Sequence, residues 1–243
     1  MQLFNDDCLN VLKTLESNSV DLVVTDPPYK VGTQGGLNNR DSHWKNHIID
    51  IEDNNIYDSY DIRAVNTELV RVMKNINIYI FCNKAQIMDY MNFYVNELHC
   101  LFDILIWHKS NITPLFNCRY LDDFEFCLYF RKGGYGVKPD CYADASKYYC
   151  SATNNADKDK YGHPTIKPLD FIERLIRNSS MPGNVVLDPF MGSGTTGVAA
   201  KDLGREFIGI EIEKKWYDIA KDRIENEDKT VDSNIALDLS QFI

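Results

Sequence analysis

Near the start of the chain, one short string has the residue types needed to hold an amino group. It consists of Asp26, Pro27, Pro28 and Tyr29. Proline fixes its own φ angle and has no backbone N–H, so the two prolines should form a rigid loop whose carbonyls project beside the Asp26 carboxylate. These acceptors could bind both hydrogens of an amino group while Tyr29 stacks on the attached ring. A proline turn with a capping aspartate would have the same sequence, and this string alone leaves both interpretations open.

Near the end of the chain, residues 188–196 form a glycine-rich string after a run of β-branched residues. A glycine-rich turn between a strand and a helix lets a small adenosine-like ligand approach the backbone. Glu211 lies at the tip of the next predicted strand, where a carboxylate can hold two ribose hydroxyls. The spacing differs from the Gly-x-Gly-x-x-Gly of dinucleotide sites, and a simple packing turn with a surface glutamate remains the alternative. The candidate ligand-binding residues in the string are Asp188, Phe190, Gly192, Ser193, Gly194, Thr195 and Thr196.

The elements that must position these two strings alternate along the chain. Short apolar runs predict buried strands, and apolar residues at helical spacing predict helices. Their alternation predicts an α/β fold with a mostly parallel central sheet and helices on both faces. We expect the first three strands to be parallel and fully buried. Predicted strands cover residues 20–25, 76–82, 104–107, 124–130, 184–187 and 207–212; predicted helices cover 85–99 and 195–203, with two more beginning at Pro168 and closing the chain around 216–224.

Length and composition fit one α/β domain over residues 1–243 with a small insertion at 131–162. Residues 30–46 are rich in glycine, asparagine and charge, and they predict a mobile loop beside the first string. No apolar run reaches the length of a membrane helix, and residues 1–12 lack the pattern of a secretory signal. The seven cysteines include no Cys-x-x-Cys pair, which favours reduced thiols in a cytoplasmic protein and argues against a metal site.

The charge distribution limits how the chain could bind a polyanion. The formal net charge is −10, which argues against a protein that coats nucleic acid without specificity. Residues 107–167 differ from the rest, because they carry nine Lys and Arg against seven Asp and Glu. We expect any nucleic acid to meet this middle stretch, although a solvated surface of mixed charge would have a similar composition.

Taken together, the two strings resemble the catalytic and S-adenosylmethionine-binding motifs of the DNA amino-methyltransferases. Their order, with the catalytic motif first and the cofactor motif last, resembles the β group of that family. The resemblance covers nearly the whole chain and implies a Rossmann-like methyltransferase fold with a circularly permuted motif order. It also implies S-adenosylmethionine as cofactor, double-stranded DNA as substrate and a flipped target base that stacks on Tyr29. Asp26 and the Pro27 carbonyl would then accept hydrogen bonds from the target amine.

Other segments match further parts of the same family. Asp7 lies in a segment that resembles the one whose aspartate holds the adenine of the cofactor. Lys167 belongs to residues 163–168, which resemble the stretch that closes over the methionine end. Lys109 and Glu125 also fall where the family has corresponding elements. Residues 131–162 occupy the target-recognition position but are few in number.

The family's Asp version of the proline string favours adenine, and its Ser version favours cytosine. We therefore expect transfer to the 6-amino group of adenine in DNA. The alternatives are the 4-amino group of cytosine, an RNA base, or a catalytically idle DNA-binding subunit. Protein-glutamine methyltransferases use a related proline string, but with the glycine motif upstream of it. A homodimer and a cognate restriction nuclease are further expected partners, and no metal is required.

Overall fold

Eight strands form one sheet in the computed structural model, which describes residues 1–29, 61–112, 120–153, 161 and 166–226. The order across the sheet is β1-β8-β7-β2-β3-β5-β4-β6. β5 runs antiparallel to both of its neighbours, and the other pairs of adjacent strands are parallel. The mostly parallel sheet predicted from the sequence is therefore confirmed. The strands are β1 Gln2–Phe4, β2 Leu22–Thr25, β3 Asn77–Cys82, β4 Leu101–Lys109, β5 Phe124–Arg131, β6 Tyr148–Ser151, β7 Val185–Asp188 and β8 Glu206–Ile210.

Helices cover both faces of this sheet, as the alternation of elements predicted. Each face has its own buried apolar cluster, because a parallel sheet can bury its apolar strands only between two helical layers. On one face lie α1 Cys8–Thr14, α2 Ile62–Val72 and α3 Ile87–Tyr90, the last continuing as a π-helix over Met91–Glu97. On the other face lie α4 Leu169–Ser179, α5 Thr195–Asp202 and α6 Lys214–Asn226.

The helix predicted for residues 85–99 exists but winds differently from a regular α-helix. Its second half is π-helical, with one more residue per turn. This winding buries Phe93 and Tyr94 together, and Tyr94 stacks on Phe130 of the sheet with ring centroids 4.6 Å apart. The helical spacing of Ile87, Met91, Tyr94 and Leu98 correctly predicted this face, since all four pack in its cluster, but it did not predict the burial of Phe93 beside Tyr94.

The expectation of a fully buried strand at residues 104–107 is wrong. That segment belongs to the longer β4, which lies one strand from the edge of the sheet. Leu105 and Trp107 face the buried cluster beside α4, whereas Phe102 and Ile104 project from the opposite face and are exposed. The apolar run therefore alternates between a covered and an uncovered face.

The segment predicted as an insertion contributes a strand to the sheet. β6 pairs in parallel with β4 at the edge, so Tyr148–Ser151 within this segment extends the sheet. Two helices and the short β1 were also missed by the sequence analysis. The predicted loop at 30–46 and residues 163–165 lie outside the described residues.

Among the described helices, none is both long and apolar enough to span a membrane.

Candidate active site

A cavity of about 490 Å³ opens where the strands end at their carboxyl sides. Parallel strands place the residues that follow them at one edge of the sheet, which is where α/β folds bind ligands. The chain brings both predicted strings to this edge, since one follows β2 and the other follows β7. The residues that line the cavity include Asp7, Asp26, Pro27, Pro28, Tyr29, Lys167, Asp188, Phe190, Gly192, Ser193, Thr195, Thr196 and Glu211.

The glycine-rich turn is held by its backbone conformation and by close packing. Gly194 caps α5 with φ +85°, a left-handed conformation that favours glycine. It does not line the cavity, because it packs against α6, where an added Cβ would lie 3.0 Å from the backbone of Ala220. Arg223 donates from Nη1 to Thr195 Oγ1 at 3.1 Å and to the Ser193 carbonyl at 3.4 Å. Contacts with α6 thus fix one side of the turn, and the side that lines the cavity is open to a ligand.

Two carboxylates beside this turn are hydrogen-bonded by the backbone and a hydroxyl. Glu211 accepts from the Gly192 N–H and the Glu213 N–H, each at 2.9 Å. Asp188 accepts from the Phe190 N–H at 3.1 Å and from Thr196 Oγ1 at 2.7 Å. For Glu211, burial has a larger effect than the hydrogen bonds from Gly192 and Glu213. The pKa of this carboxyl is therefore raised above its ordinary value.

Burial has a larger effect on Asp188. It raises the pKa of this carboxyl to about 7, against the hydrogen bonds from Thr196 and Phe190. A positively charged ligand would favour the ionised form and so be bound more tightly as the pH rises.

Asp7 has a structural role that was not predicted from the sequence. Its Oδ1 caps α1 by accepting from the Leu9 N–H at 2.9 Å and the Asn10 N–H at 3.2 Å. The residue also lines the cavity, near the other acidic groups of this region. We call the group Asp6, Asp7, Asp188, Glu211 and Glu213 the acidic end of the cavity. Among the described lining residues, Lys167 is the only Lys or Arg, and it lies elsewhere.

The proline string forms the opposite part of the cavity. Asp26 Oδ1 accepts from the Tyr29 hydroxyl at 2.8 Å, and Lys167 donates to Asp26 Oδ2. The Pro28 carbonyl accepts from Gln86 Nε2 at 2.8 Å. Gln86 is fully buried and follows β3, so this bond fixes the loop from a distant part of the chain. No motif in the sequence indicates such a contact.

Two further residues complete this part of the site. Glu125 Oε1 lies 2.5 Å from the Tyr29 hydroxyl and 2.7 Å from Lys167 Nζ. Glu125 Oε2 lies 2.8 Å from Lys109 Nζ. Neither residue lines the cavity, and we call Asp26, Tyr29 and Lys167, together with Glu125 and Lys109, the lysine-paired end. Two carboxylates and two ammonium groups give these side chains a formal charge of zero.

The lysines and burial act in opposite directions on the two carboxyls. Burial raises the pKa of Asp26 despite the charge of Lys167. Burial would also raise the pKa of Glu125, but Lys167 and Lys109 overcome it and lower that pKa to about 2. Asp26 and Glu125 together raise the pKa of Lys167 above its ordinary value, against the effect of its burial.

The side chain of Tyr29 lies between the two carboxylates and the cavity. Its hydroxyl points at both carboxylates, and Lys167 Nζ lies 5.7 Å from the ring centroid. Burial and the neighbouring charges of Asp26 and Glu125 raise its pKa well above the ordinary value. The ring borders the cavity, as stacking on a base would require, but the hydroxyl contacts were not predicted.

Comparison with known proteins identifies the family. A model of the DNA methylase family matches residues 20–222, which is most of the chain. The chain belongs to this DNA methylase family. It is 31% identical to the type II methyltransferase M2.DpnII of Streptococcus pneumoniae, over 95% of this chain and 91% of that protein. It is 29% identical to the type II methyltransferase M.HinfI of Haemophilus influenzae, over 91% of this chain and 67% of that protein.

Solved structures resemble this DNA methylase over nearly its full length. The complex of M1.HpyAVI with S-adenosylmethionine has a TM-score of 0.64 at 30% identity and covers 91% of this chain and 98% of that one. TTHA0409 of Thermus thermophilus, also complexed with S-adenosylmethionine, has a TM-score of 0.57 at 26% identity, over 92% and 94%. The cytosine-N4-specific PvuII DNA methyltransferase has a TM-score of 0.70 at 16% identity, over 94% and 87%, a likeness of fold alone. The methyltransferase fold expected from the sequence is confirmed.

Proposed function

We propose that this DNA methylase transfers a methyl group from S-adenosylmethionine to the exocyclic 6-amino group of adenine in double-stranded DNA. The observation that carries the proposal is the cavity itself, which joins an acidic end to a proline-stiffened carboxylate. The related M1.HpyAVI and TTHA0409 structures with S-adenosylmethionine support the choice of cofactor.

The residues present suit that cofactor. S-adenosylmethionine carries an ammonium and a sulfonium against one carboxylate, so a cavity end lined by five acidic residues complements its charge. Glu211 would hold the ribose hydroxyls and Asp7 the adenine amine. Asp188 and the glycine-rich turn would surround the methionine portion. Phe190 lines the same end and offers a flat apolar surface.

When bound, S-adenosylmethionine supplies a methyl group on a positively charged sulfur. The chain must make the target amine a better nucleophile, because its lone pair is delocalised into the ring. Asp26 and the Pro27 carbonyl would accept the two N–H hydrogens and favour a pyramidal nitrogen. Asp26 would also stabilise the positive charge that develops on that nitrogen. Positioning of the amine beside the methyl group supplies the rest of the rate enhancement.

Adenine is supported by the aspartate at position 26, since the Ser version of the string favours cytosine in the resembling family. A base inside a duplex cannot reach the cavity, so the target must be flipped out. The proposed stacking surface is Tyr29. Its hydroxyl contacts Asp26 and Glu125.

The test is to methylate unmodified genomic DNA with the purified chain and tritiated cofactor, then digest the product to nucleosides. Label in N6-methyladenosine supports the proposal, and label in N4-methylcytidine selects the cytosine alternative. Duplex binding without label in either nucleoside indicates a catalytically idle subunit. Sequencing of the modified DNA gives the recognition site in the same experiment.

We also propose that residues 1–243 form one catalytic domain in which residues 131–162 contact the target sequence. Tyr142 is 95% exposed, so the segment presents an aromatic ring to solvent, and Lys147, just before β6, is a partly exposed cation paired with Asp103. Tyr142→Ala should raise the KM for DNA without changing cofactor affinity. A dimer and a cognate nuclease are further proposals, tested by light scattering and by co-purification with a cleavage assay.

A further inference from the structure

Glu125 is a buried carboxylate for which the proposed transfer has no role. Its side chain is only 8% exposed, and it lies on β5, far in the sequence from either motif. A buried carboxylate is costly unless it is paired and hydrogen-bonded. Glu125 has three such contacts. Tyr29 and Lys167 also contact Asp26, and Lys109 balances the charge of Glu125.

The sheet explains why these groups meet. In the antiparallel pair of β4 and β5, Trp107 lies opposite Glu125. Lys109 is two residues beyond Trp107, so it projects from the same face and reaches Glu125 Oε2 at 2.8 Å. Lys167 approaches from the segment before α4 and reaches Glu125 Oε1 at 2.7 Å.

Lys167 and Tyr29 are shared between Glu125 and Asp26. The ammonium of Lys167 donates to both carboxylates. The Tyr29 oxygen lies within hydrogen-bond distance of both, yet its hydroxyl has one hydrogen, so the two carboxylates compete for it. The charge on Glu125 therefore draws both donors away from Asp26.

We propose that Glu125 is a positioning residue for methyl transfer, acting on Asp26 through Lys167 and Tyr29, with Lys109 as its counter-charge. Glu125 holds Lys167 and the Tyr29 hydroxyl at one side of Asp26. The carboxylate is thereby kept in place with acceptor capacity for an incoming amine. This inference rests on the proposed role of Asp26 and adds Glu125 and Lys109 to the reaction.

Other titratable groups lie near Asp26 and also affect its titration. Cys82 on β3 and Cys127 on β5 are both buried, and burial raises the pKa of each thiol. Asp188 on β7 also interacts with the charge of Asp26. These groups are unchanged in the variants below. The charged or titratable groups around Asp26 from the described elements are Tyr29, Cys82, Lys109, Glu125, Cys127, Lys167 and Asp188.

The first experiment follows the titration of Asp26 by NMR on protein labelled with ¹³C-aspartate, without DNA. Loss of one signal in Asp26→Asn assigns the carboxyl. Glu125→Gln removes a neighbouring negative charge, so the titration should move about one pH unit lower. Lys109→Gln removes a positive charge and should move it higher. Glu97→Gln, which removes an exposed carboxylate paired with Arg63 in another region, is the matched control.

The second experiment measures steady-state methyl transfer across pH. Glu125→Gln should lower kcat between about tenfold and a hundredfold, since misplacement of a reacting group by ~1 Å costs on that order. The KM for the cofactor should stay near the wild-type value, and the acid limb of the kcat profile should move to lower pH. Lys109→Gln should move that limb to higher pH. Glu97→Gln should match the wild type in both.

The outcomes separate this inference from the proposed function. If Asp26 titrates identically in Glu125→Gln, Lys109→Gln and the wild type, the inference is overturned whatever the activity. A kcat for Glu125→Gln equal to wild type would also overturn it. Label in no nucleoside with wild-type protein would contradict the proposed function, while the NMR titration would still report the coupling. If Glu125→Gln does not fold, Lys109→Gln still tests the inference, because the titration of Asp26 should then move to higher pH.

Discussion

At the lysine-paired end, Asp26 and Glu125 share Lys167, and Glu125 also binds Lys109. At the acidic end, Asp188 and Glu211 are bound by backbone N–H groups and a hydroxyl, and Lys167, the only Lys or Arg among the described lining residues, pairs with Asp26 and Glu125 at the other end. The first arrangement balances its own charge. The second retains negative charge for a cationic ligand. In the proposed function, the first end binds an uncharged amine and the second binds a charged cofactor.

The two ends also differ in how they are built. Asp26, Glu125 and Lys167 come from three distant parts of the chain, and side chains alone join them. At the acidic end, backbone groups make the connections, because Glu211 accepts from the Gly192 N–H and the turn requires Gly194 at φ +85°. Substitutions that remove a charged side chain should therefore damage the lysine-paired end most. Substitutions that disturb the backbone conformation should damage the acidic end most.

The largest expected effect follows from removing the carboxylate of Asp26. Asp26→Ala should lower methyl transfer by at least about a hundredfold to a thousandfold, because an oriented electrostatic contact in the transition state is worth that much. Cofactor affinity should stay unchanged, since Asp26 belongs to the other end. Tritium incorporation and calorimetry measure the two quantities. Full residual transfer would remove Asp26 from the mechanism.

Glu211 provides the reciprocal test at the acidic end. Glu211→Ala removes the acceptor for the Gly192 N–H and the proposed ribose contact. Hydrogen bonds to a charged group contribute about 1.5–3 kcal/mol, so cofactor affinity should fall roughly tenfold to a hundredfold. Calorimetry at fixed pH measures the change. An unchanged affinity would mean that the cavity binds its ligand elsewhere.

Gly194→Ala tests whether the acidic end depends on backbone conformation without removing any polar group. The left-handed φ and the 3.0 Å approach to Ala220 should destabilise the turn by roughly 1–2 kcal/mol. Thermal unfolding should shift to lower temperature, and cofactor binding should weaken. Gly136→Ala is the control, because an added Cβ there has nothing within 4 Å. Equal stability of the two variants would contradict the contrast between the ends.

The smallest expected effect is a pH dependence of cofactor affinity. Asp188 has a pKa of about 7 in the free protein, so it ionises as the pH rises from 6 to 8. A cationic cofactor favours the ionised form, and its affinity should therefore increase over this range by up to about tenfold. Calorimetry at several pH values measures it. Asp188→Asn should lose this increase; if the dependence persists, another group causes it.

Much of this arrangement was predictable because the relevant signals are local. The strand before each motif, the proline string and the glycine turn all lie in short windows, where sequence pattern and backbone preference coincide. Trp107 and Trp216 are both buried, as is usual for large apolar side chains, and Trp216 also lines the cavity. The roles assigned to individual site residues stay predictions until the variants above are measured.

The contacts that were missed have no local signal. Gln86 follows β3 and reaches the Pro28 carbonyl after the neighbouring β2, and β6 was taken for part of a polar insertion because its residues are only partly buried and its pairing with β4 has no sequence pattern. The exposure of β4 likewise depends on which helices cover the sheet. Each of these features depends on the order of strands, which a periodic pattern does not encode.

Residue type and local spacing fix the carboxylate, the rigid carbonyls and the glycine turn, so all three could be read along the chain. The contacts that join Glu125 and Lys109 to Asp26 through Lys167 and Tyr29 arise from the folded sheet. Charge compensation acts through space. Side chains from distant parts of the chain interact as strongly as adjacent residues once the sheet has formed.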